Sequence, residues 1–508
     1  MRIFPYIVFP AEAEALVASL ADLDYETYGS EHWYKQHTYL DKLNMQAVVS
    51  ARARSDEFVK EFIISHQKVG FLIRDLVSSE LWRQKIFKRL LKSLSNDVPT
   101  FPIYVILYHE LILSNLLETV AYHMDVVDSL RDDAVDLCDW CHRALCRLVA
   151  ATSSEEKKAE LHSLKDQPNS SETNEAELCR QAKILTYEIG MKAVSLSRHL
   201  IDHSCSSYSA SVSGSTLPLS VGRRLLHTHD FLILLCHLID LAPWNCAAAP
   251  KKDCYARLVK YQWHESGCWI AETDDKNWTV LTKTEGQVWL SIYQLLFSNL
   301  IPSVNYDLTA SHRKQALLRL RPHLTEVCID VIPVLGELRR FLEEFAVCEG
   351  SALASRGQAV KGHSASASAV AQLCHVEVIA DIYEGIQQKY RGKWKEVASE
   401  FMQRIQSEAG RESAKRAASK WADAFTEDNV NALFGADATG DTFEHPLLPP
   451  PRCVECGEIA TKRCSRCRQE WYCRRECQVK HWPRHKKACD IFVSCAAADG
   501  EKNGRDIT

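Results

Sequence analysis

At 508 residues, 46 % of them hydrophobic and 25 % charged, the chain is long enough for two or three domains with sizeable cores, and its composition excludes a fibrous or wholly disordered protein. A net charge of −5 argues against a uniformly basic nucleic-acid binder. No apolar run reaches about 18 residues and the first 20 residues lack a secretory layout, so neither a membrane span nor export is expected, and the protein is expected in the cytosol or nucleus.

From Glu12 to about Leu94 the text is helical, with Phe58, Phe62, Leu72, Leu76, Trp82 and Phe87 at three- and four-residue spacings among polar residues. Ser55-Asp56-Glu57 reads as a helix start, and Asn96-Asp97-Val98-Pro99 as a turn that closes the set. A buried helix follows from Ile103 to Val120. It contains His109-Glu110, the first letters of a metalloprotease signature, but Leu113 stands where the second zinc-binding histidine would have to be, so no protease is expected.

Asp125, Asp128, Asp132, Asp136 and Asp139 form an acidic stripe, expected to be a solvated face because no glycine-turned loop gathers the carboxylates. Cys138-Asp139-Trp140-Cys141-His142 spells a haem attachment pattern, yet it lies mid-helix in a chain with no export signal and is expected to be core.

Residues 153–174 and 204–215 are polar and Ser-rich, expected as flexible insertions around a helix from Ile184 to Leu200. Leu225 to Leu241 is core. Tyr255, Val259, Tyr261, Trp263, Trp269 and Trp278 change the texture to β-formers, consistent with a small hairpin. Helices resume over 286–300, 311–320 and 324–345, the last kinked or split at Pro333.

Residues 351–369 are a loop by composition, and Cys374 to about Phe425 is helical again. Residues 1–430 thus read as an irregular, mainly α helical array with an armadillo/HEAT-like α-solenoid as the candidate arrangement, although no repeat of fixed period is found. A linker over 431–452 ends in Pro446-Leu447-Leu448-Pro449-Pro450-Pro451, a stiff extended stalk, and residues 490–508 read as a disordered tail.

The densest chemistry lies at 453–489, where Cys453, Cys456, Cys464, Cys467, Cys473, Cys477, His485 and Cys489 form four ligand pairs. Zn2+ takes thiolate sulfur and imidazole nitrogen and closes structural sites at four ligands, so eight donors make two sites. The knuckles Cys453/Cys456 and Cys464/Cys467 sit on tight turns, whereas Cys473/Cys477 and His485/Cys489 share a helix face. So short a segment cannot bury a core that folds alone, and the metal has to supply on the order of 10 kcal/mol per site. Spacing leaves open whether the ions take successive or interleaved pairs, and His481 competes as a donor until Pro483 breaks the register. Eleven Lys and Arg against four Glu give the stretch 452–489 a formal +7, leaving −12 on the rest of the chain. With no recognition-helix spacing, nucleic-acid binding is not expected. The other 13 of the 20 cysteines are scattered singly through helical text, as reduced core thiols are.

With Trp471-Tyr472-Cys473, Cys477-Gln478, Trp482 and His485-Lys486 in place, this segment resembles a MYND zinc finger, a protein-interaction module. The resemblance implies interleaved ligands: Cys453, Cys456, Cys473 and Cys477 on one zinc, Cys464, Cys467, His485 and Cys489 on the other, with His481 on neither. It also implies a shallow groove for Pro-x-Leu-x-Pro-like peptides at Gln478 and Trp482, with Tyr472 as a further candidate. Pro446 to Pro450 itself has that peptide form.

Further stretches, Gly29-Ser30-Glu31 with Trp33, Leu40 with Lys42 to Ala47, Thr100 to Tyr104, Asn115 to Val120, Pro243-Trp244 and Glu285-Gly286-Gln287 with Trp289-Leu290, are similar to the zinc finger MYND domain-containing protein 10 family. The Ser-rich loops and the longer linker depart from it. The resemblance implies a non-enzymatic adaptor or co-chaperone for cytoplasmic preassembly of axonemal dynein arms in motile cilia. The partners it implies are a leucine-rich-repeat assembly factor, a prolyl-isomerase co-chaperone, an Hsp90-class chaperone and dynein chains as clients, with a location in the cytoplasm extending to centriolar satellites or the ciliary base.

Two rival functions remain. A MYND-bearing transcriptional or chromatin adaptor shares the finger. A SET-type protein methyltransferase is suggested only by Asp202-His203-Ser204-Cys205, and this helical chain offers neither the short strands nor the Gly-rich loops of that chemistry. No Walker loop, dinucleotide fingerprint or nucleophile elbow appears, so no catalytic residue is expected.

Overall fold

The computed structural model describes residues 8–95, 98–164, 172–207, 219–248, 259–264, 268–272, 281–347 and 378–424, and at the C-terminal end 456, 462–463, 471–482 and 485–486. It falls into two units, one ending at Ala424 and one beginning at Phe425. The loop at 351–369, the linker at 431–452 with its proline stalk, and the tail at 490–508 lie outside the described residues.

The first unit opens with α1 (Pro10–Ser19), α2 (Glu31–Ala53), α3 (Phe58–Ser65) and α4 (Val69–Leu81), then a π-helical stretch Trp82–Phe87 that runs into α5 (Lys88–Leu91). The Ser30 hydroxyl caps α2 by accepting the Trp33 N–H at 3.3 Å. The expected cap at Ser55-Asp56-Glu57 takes a different form. Glu57 is the N-cap of α3 but makes no side-chain cap bond, because its carboxylate is drawn to His123 Nε2 at 2.8 Å.

Next come α6 (Phe101–Val120), α7 (Met124–Leu130), α8 (Asp133–Ala151), α9 (Glu155–Leu164) and α10 (Asn174–Ser207). By length and composition α6 could cross a membrane, but 67 % of its apolar window is buried inside the unit, where it packs under α2, α4 and α10. Helix α9 replaces part of the loop expected over 153–174. Its Lys158 is buried and paired with Glu155 and with the Leu241 carbonyl, which anchors a polar-looking stretch that composition alone reads as free. Helix α10 extends well past the expected 184–200, so His203-Ser204-Cys205 is helical rather than loop.

At 34 residues α10 is the hub, packed against α6, α8 and α13 (Lys283–Phe297). Gly190 makes the α8 contact close, since a Cβ there would stand 2.9 Å from Leu148 Cβ. Between hub and α13 run α11 (Leu219–Arg223), a second π-helical stretch Arg224–Thr228, and α12 (Phe231–Leu241), capped by the Asp230 carboxylate at the Ile233 N–H.

The β-forming region is a three-stranded antiparallel sheet, β1 (Asn245–Ala248), β2 (Val259–Trp263) and β3 (Trp269–Glu272), so the expected hairpin is the β2–β3 part of it. Trp263 and Trp269 face each other across the register, with ring centroids 5.3 Å apart, and Tyr187 of α10 meets the edge of Trp263 at 4.9 Å. Trp263 and Trp269 thus both meet Tyr187, and Tyr261 meets His162 of α9 at 4.0 Å, ring contacts that hold so short a sheet against the helices.

After α14 (Leu300–Ser303) and α15 (Ser311–Arg319), α16 (Glu326–Val331) and α17 (Leu335–Val347) are split around Pro333, as proline's missing N–H predicts. The chain then returns to its beginning through α18 (Ile382–Lys389), α19 (Trp394–Gln406) and α20 (Glu408–Ala424). Helix α18 packs on α4, α19 on the first π-helical stretch and α20 on α6. Tyr390 Oη accepts the Tyr25 N–H at 3.3 Å, and Phe401 meets Trp82 edge-on at 5.6 Å. In a solenoid each repeat touches only its neighbours. A hub helix and a returning C-terminus make this an irregular mainly α array instead.

Candidate metal centre

In the second unit, β4 (Lys462–Arg463) pairs antiparallel with β5 (Trp471–Tyr472), in register Lys462 to Tyr472 and Arg463 to Trp471. This short ribbon delivers Cys473 to the start of a helical segment at 475–482. Four residues on, Cys477 falls on the same face, and the two Sγ atoms lie 3.6 Å apart. Cys456 Sγ comes in at 3.4 Å from Cys473 and 3.8 Å from Cys477.

These separations are informative. A disulfide would place two sulfurs at about 2.05 Å. A tetrahedral zinc with Zn–S bonds of about 2.3 Å separates its sulfurs by about 3.8 Å. The triangle of thiols therefore fits a metal rather than a bridge, and all three ligand atoms lie within 4.8 Å of one another. A bound zinc would tie knuckle, ribbon and helix together and supply the stability a small core lacks. Arg474, exposed beside them, donates to the sulfurs of Cys477 and Cys473, which raises its own pKa and offsets thiolate charge.

Of the other expected ligands, His485 is described and buried, its ring stacked on His481 with centroids 5.7 Å apart and meeting Trp482 at 5.9 Å. Cys453, Cys464, Cys467 and Cys489 lie outside the described residues. His481 has another task, with Nδ1 3.0 Å from the Tyr472 hydroxyl.

That bond bears on the groove candidates. Tyr472 is 1 % exposed and packs inside the finger, so it supplies support and not contact surface. Gln478 and Trp482 are half-buried on the helical segment and keep part of their surface open. Beside Gln478, Val479 is 63 % exposed. The sequence offers no sign of this, because a lone valine in a charged helix looks the same whether covered or bare.

The catalytic look-alikes of the first unit are engaged in its structure. His109 Nδ1 lies 2.8 Å from His37 Nδ1 and its Nε2 3.0 Å from Asp75, while Glu110 is bound by Arg83. Cys138 and Cys141 are fully buried, and burial pushes the Cys141 thiol up to about 12, which suits packing and not haem attachment. His203 is buried with Nε2 2.8 Å from Asp128. The acidic stripe is only partly a solvated face. Asp136 and Asp139 are buried, the first accepting the Ile382 N–H at 3.0 Å and the second gripped by Arg224 and His229.

Residues 453–489 match the MYND finger family. Over 496 residues the chain is 27 % identical to the "Zinc finger MYND domain-containing protein 10 homolog" of Drosophila melanogaster, a match covering 95 % of this chain and 98 % of that protein. No solved structure matches the chain. Thiol triangle, ribbon and family match thus agree that residues 453–489 are a MYND finger, carried by a mainly helical chain that is similar nearly end to end to that Drosophila protein.

Proposed function

We propose that the protein is a non-enzymatic adaptor and co-chaperone for the cytoplasmic preassembly of axonemal dynein arms, binding partner proteins through the finger and the helical array. The observation that carries this reading is the similarity to the Drosophila relative over 95 % of the chain, which extends far beyond the finger into the helical unit. It is supported by the chemistry of the first unit, where His109, Glu110 and His203 are engaged by neighbouring side chains and the thiols of Cys138 and Cys141 are buried. The finger would hold two zinc ions, on Cys453, Cys456, Cys473 and Cys477 and on Cys464, Cys467, His485 and Cys489, and present Gln478 and Trp482 to proline-containing peptides. Partners on this reading are a leucine-rich-repeat assembly factor, a prolyl-isomerase co-chaperone and an Hsp90-class chaperone, with dynein chains as clients in the cytoplasm or at the ciliary base.

Affinity purification of the full chain from ciliated cells tests it. Recovery of dynein heavy or intermediate chains together with chaperones is the expected result. Recovery of histones or chromatin factors in their place would overturn it in favour of a transcriptional adaptor.

A further inference from the structure

Helix α8 carries a second pair of soft donors at the four-residue spacing used in the finger. His142 Nε2 lies 3.4 Å from Cys146 Sγ. For zinc bonds of about 2.3 Å to sulfur and about 2.0 Å to nitrogen, the S···N edge of a tetrahedron is about 3.5 Å. The pair already stands at chelating separation with no movement of the backbone, and Cys146 is exposed, which provides an entry path.

A third donor adjoins them. The His229 ring stacks on His142, with centroids 4.1 Å apart and planes 20° from parallel. Its Nε2 donates to Asp139 Oδ1 at 2.6 Å, leaving Nδ1 to offer a lone pair. A carboxylate behind an imidazole is the support that metal-bound histidines ordinarily have. Asp139 is itself held by Arg224. The cations nearest the pair are occupied, Arg143 and Arg147 both binding Glu80. Stacked rings aim their lone pairs in parallel, so His229 joins the pair only by turning off the face of His142.

We propose that His142 and Cys146 form a surface site for zinc or another soft divalent transition cation, with His229 as third ligand and the fourth position open to water or to a side chain of a bound protein. Binding forms the metal–sulfur bond and releases the thiol proton to solvent.

The full chain with its finger saturated in zinc tests this against Cys146→Ser, His142→Gln and His229→Gln. Equilibrium dialysis gives zinc content, and iodoacetamide labelling followed by peptide mass spectrometry gives the reactivity of Cys146. The expected result is one more zinc in the parent than in Cys146→Ser, with Cys146 labelling slowed about tenfold when free zinc is about ten times Kd. His142→Gln should abolish that protection while Cys146 stays open to label, and His229→Gln should weaken zinc binding about tenfold or more. Equal zinc content in parent and Cys146→Ser, or labelling of Cys146 that zinc does not slow, overturns the site. Unchanged affinity in His229→Gln overturns the third ligand.

Discussion

Arg83 holds Glu110 through two parallel bonds inside the helical unit, Nε to Oε2 at 2.7 Å and Nη2 to Oε1 at 2.9 Å, with the glutamate side chain 1 % exposed. The arginine comes from the π-helical turn Trp82–Phe87, whose widened backbone places Arg83 toward α6 and Gln84 toward Tyr383 of the returning C-terminus. Removing one member of a buried pair strands the other charge. Glu110→Gln should therefore cost about 3 kcal/mol or more, and Arg83→Met combined with Glu110→Leu should recover most of the loss. Urea unfolding of the three chains decides it, and a double variant no more stable than the single one would show that packing and not charge sets the cost.

Asp41, 2 % exposed on α2, sets a pH dependence of its own. Burial pushes its carboxyl up to about 7, against a smaller opposing pull from His109. In the unfolded chain it titrates near 3.9. Between about 4 and about 7 the folded state keeps a proton that the unfolded state has released, so stability falls as pH rises through that window, and the full penalty is present above it. Asp41→Asn should match the parent near pH 4 and exceed it by a few kcal/mol at pH 8. Parallel stability profiles for the two chains across this range would refute the assignment.

Arg131, between α7 and α8, has φ 49° and ψ −123°, a conformation that glycine adopts freely and a residue with a Cβ does not. Arg131→Gly should raise stability by about 1 kcal/mol, since the strain removed exceeds the added entropy of the unfolded chain. A lowered midpoint in chemical denaturation would mean that contacts of the arginine outweigh its backbone strain.

For the finger, metal analysis of the full-length protein should return two zinc ions per chain, because eight donors close two four-coordinate sites. Cys464→Ser should disorder the finger, read from amide exchange over 471–482, and leave helical circular dichroism of the rest unchanged. One ion in the parent chain, or helical loss throughout the variant, would contradict the ligand set or the independence of the two units.

Much of this was legible before any fold was known. Cysteine pairs at three- and four-residue spacing point to zinc ligation because the turn or helix that joins them sets their separation locally. The break at Pro333 and the aromatic stretch from Tyr261 to Trp269 are equally local, one a missing donor and the other a preference for a pleated surface. Helix α9 and the far end of α10 were not legible. Their polar residues look solvated in sequence, and only the Leu241 carbonyl and Asp128 show what Lys158 and His203 are paired with.

By itself the sequence determined the mainly helical class and the position of the finger at 453–489, since each depends on residue type and short spacing. Tertiary structure decided which partners those residues meet. Periodicity says that a face is apolar but not what covers it, so the return of Tyr390 to Tyr25, the burial of Tyr472 under His481 and the meeting of His142 with His229 depend on contacts between residues that the sequence does not mark as partners. Tyr390 and Tyr25 are 365 positions apart, and burial of the apolar faces between them is what brings them together.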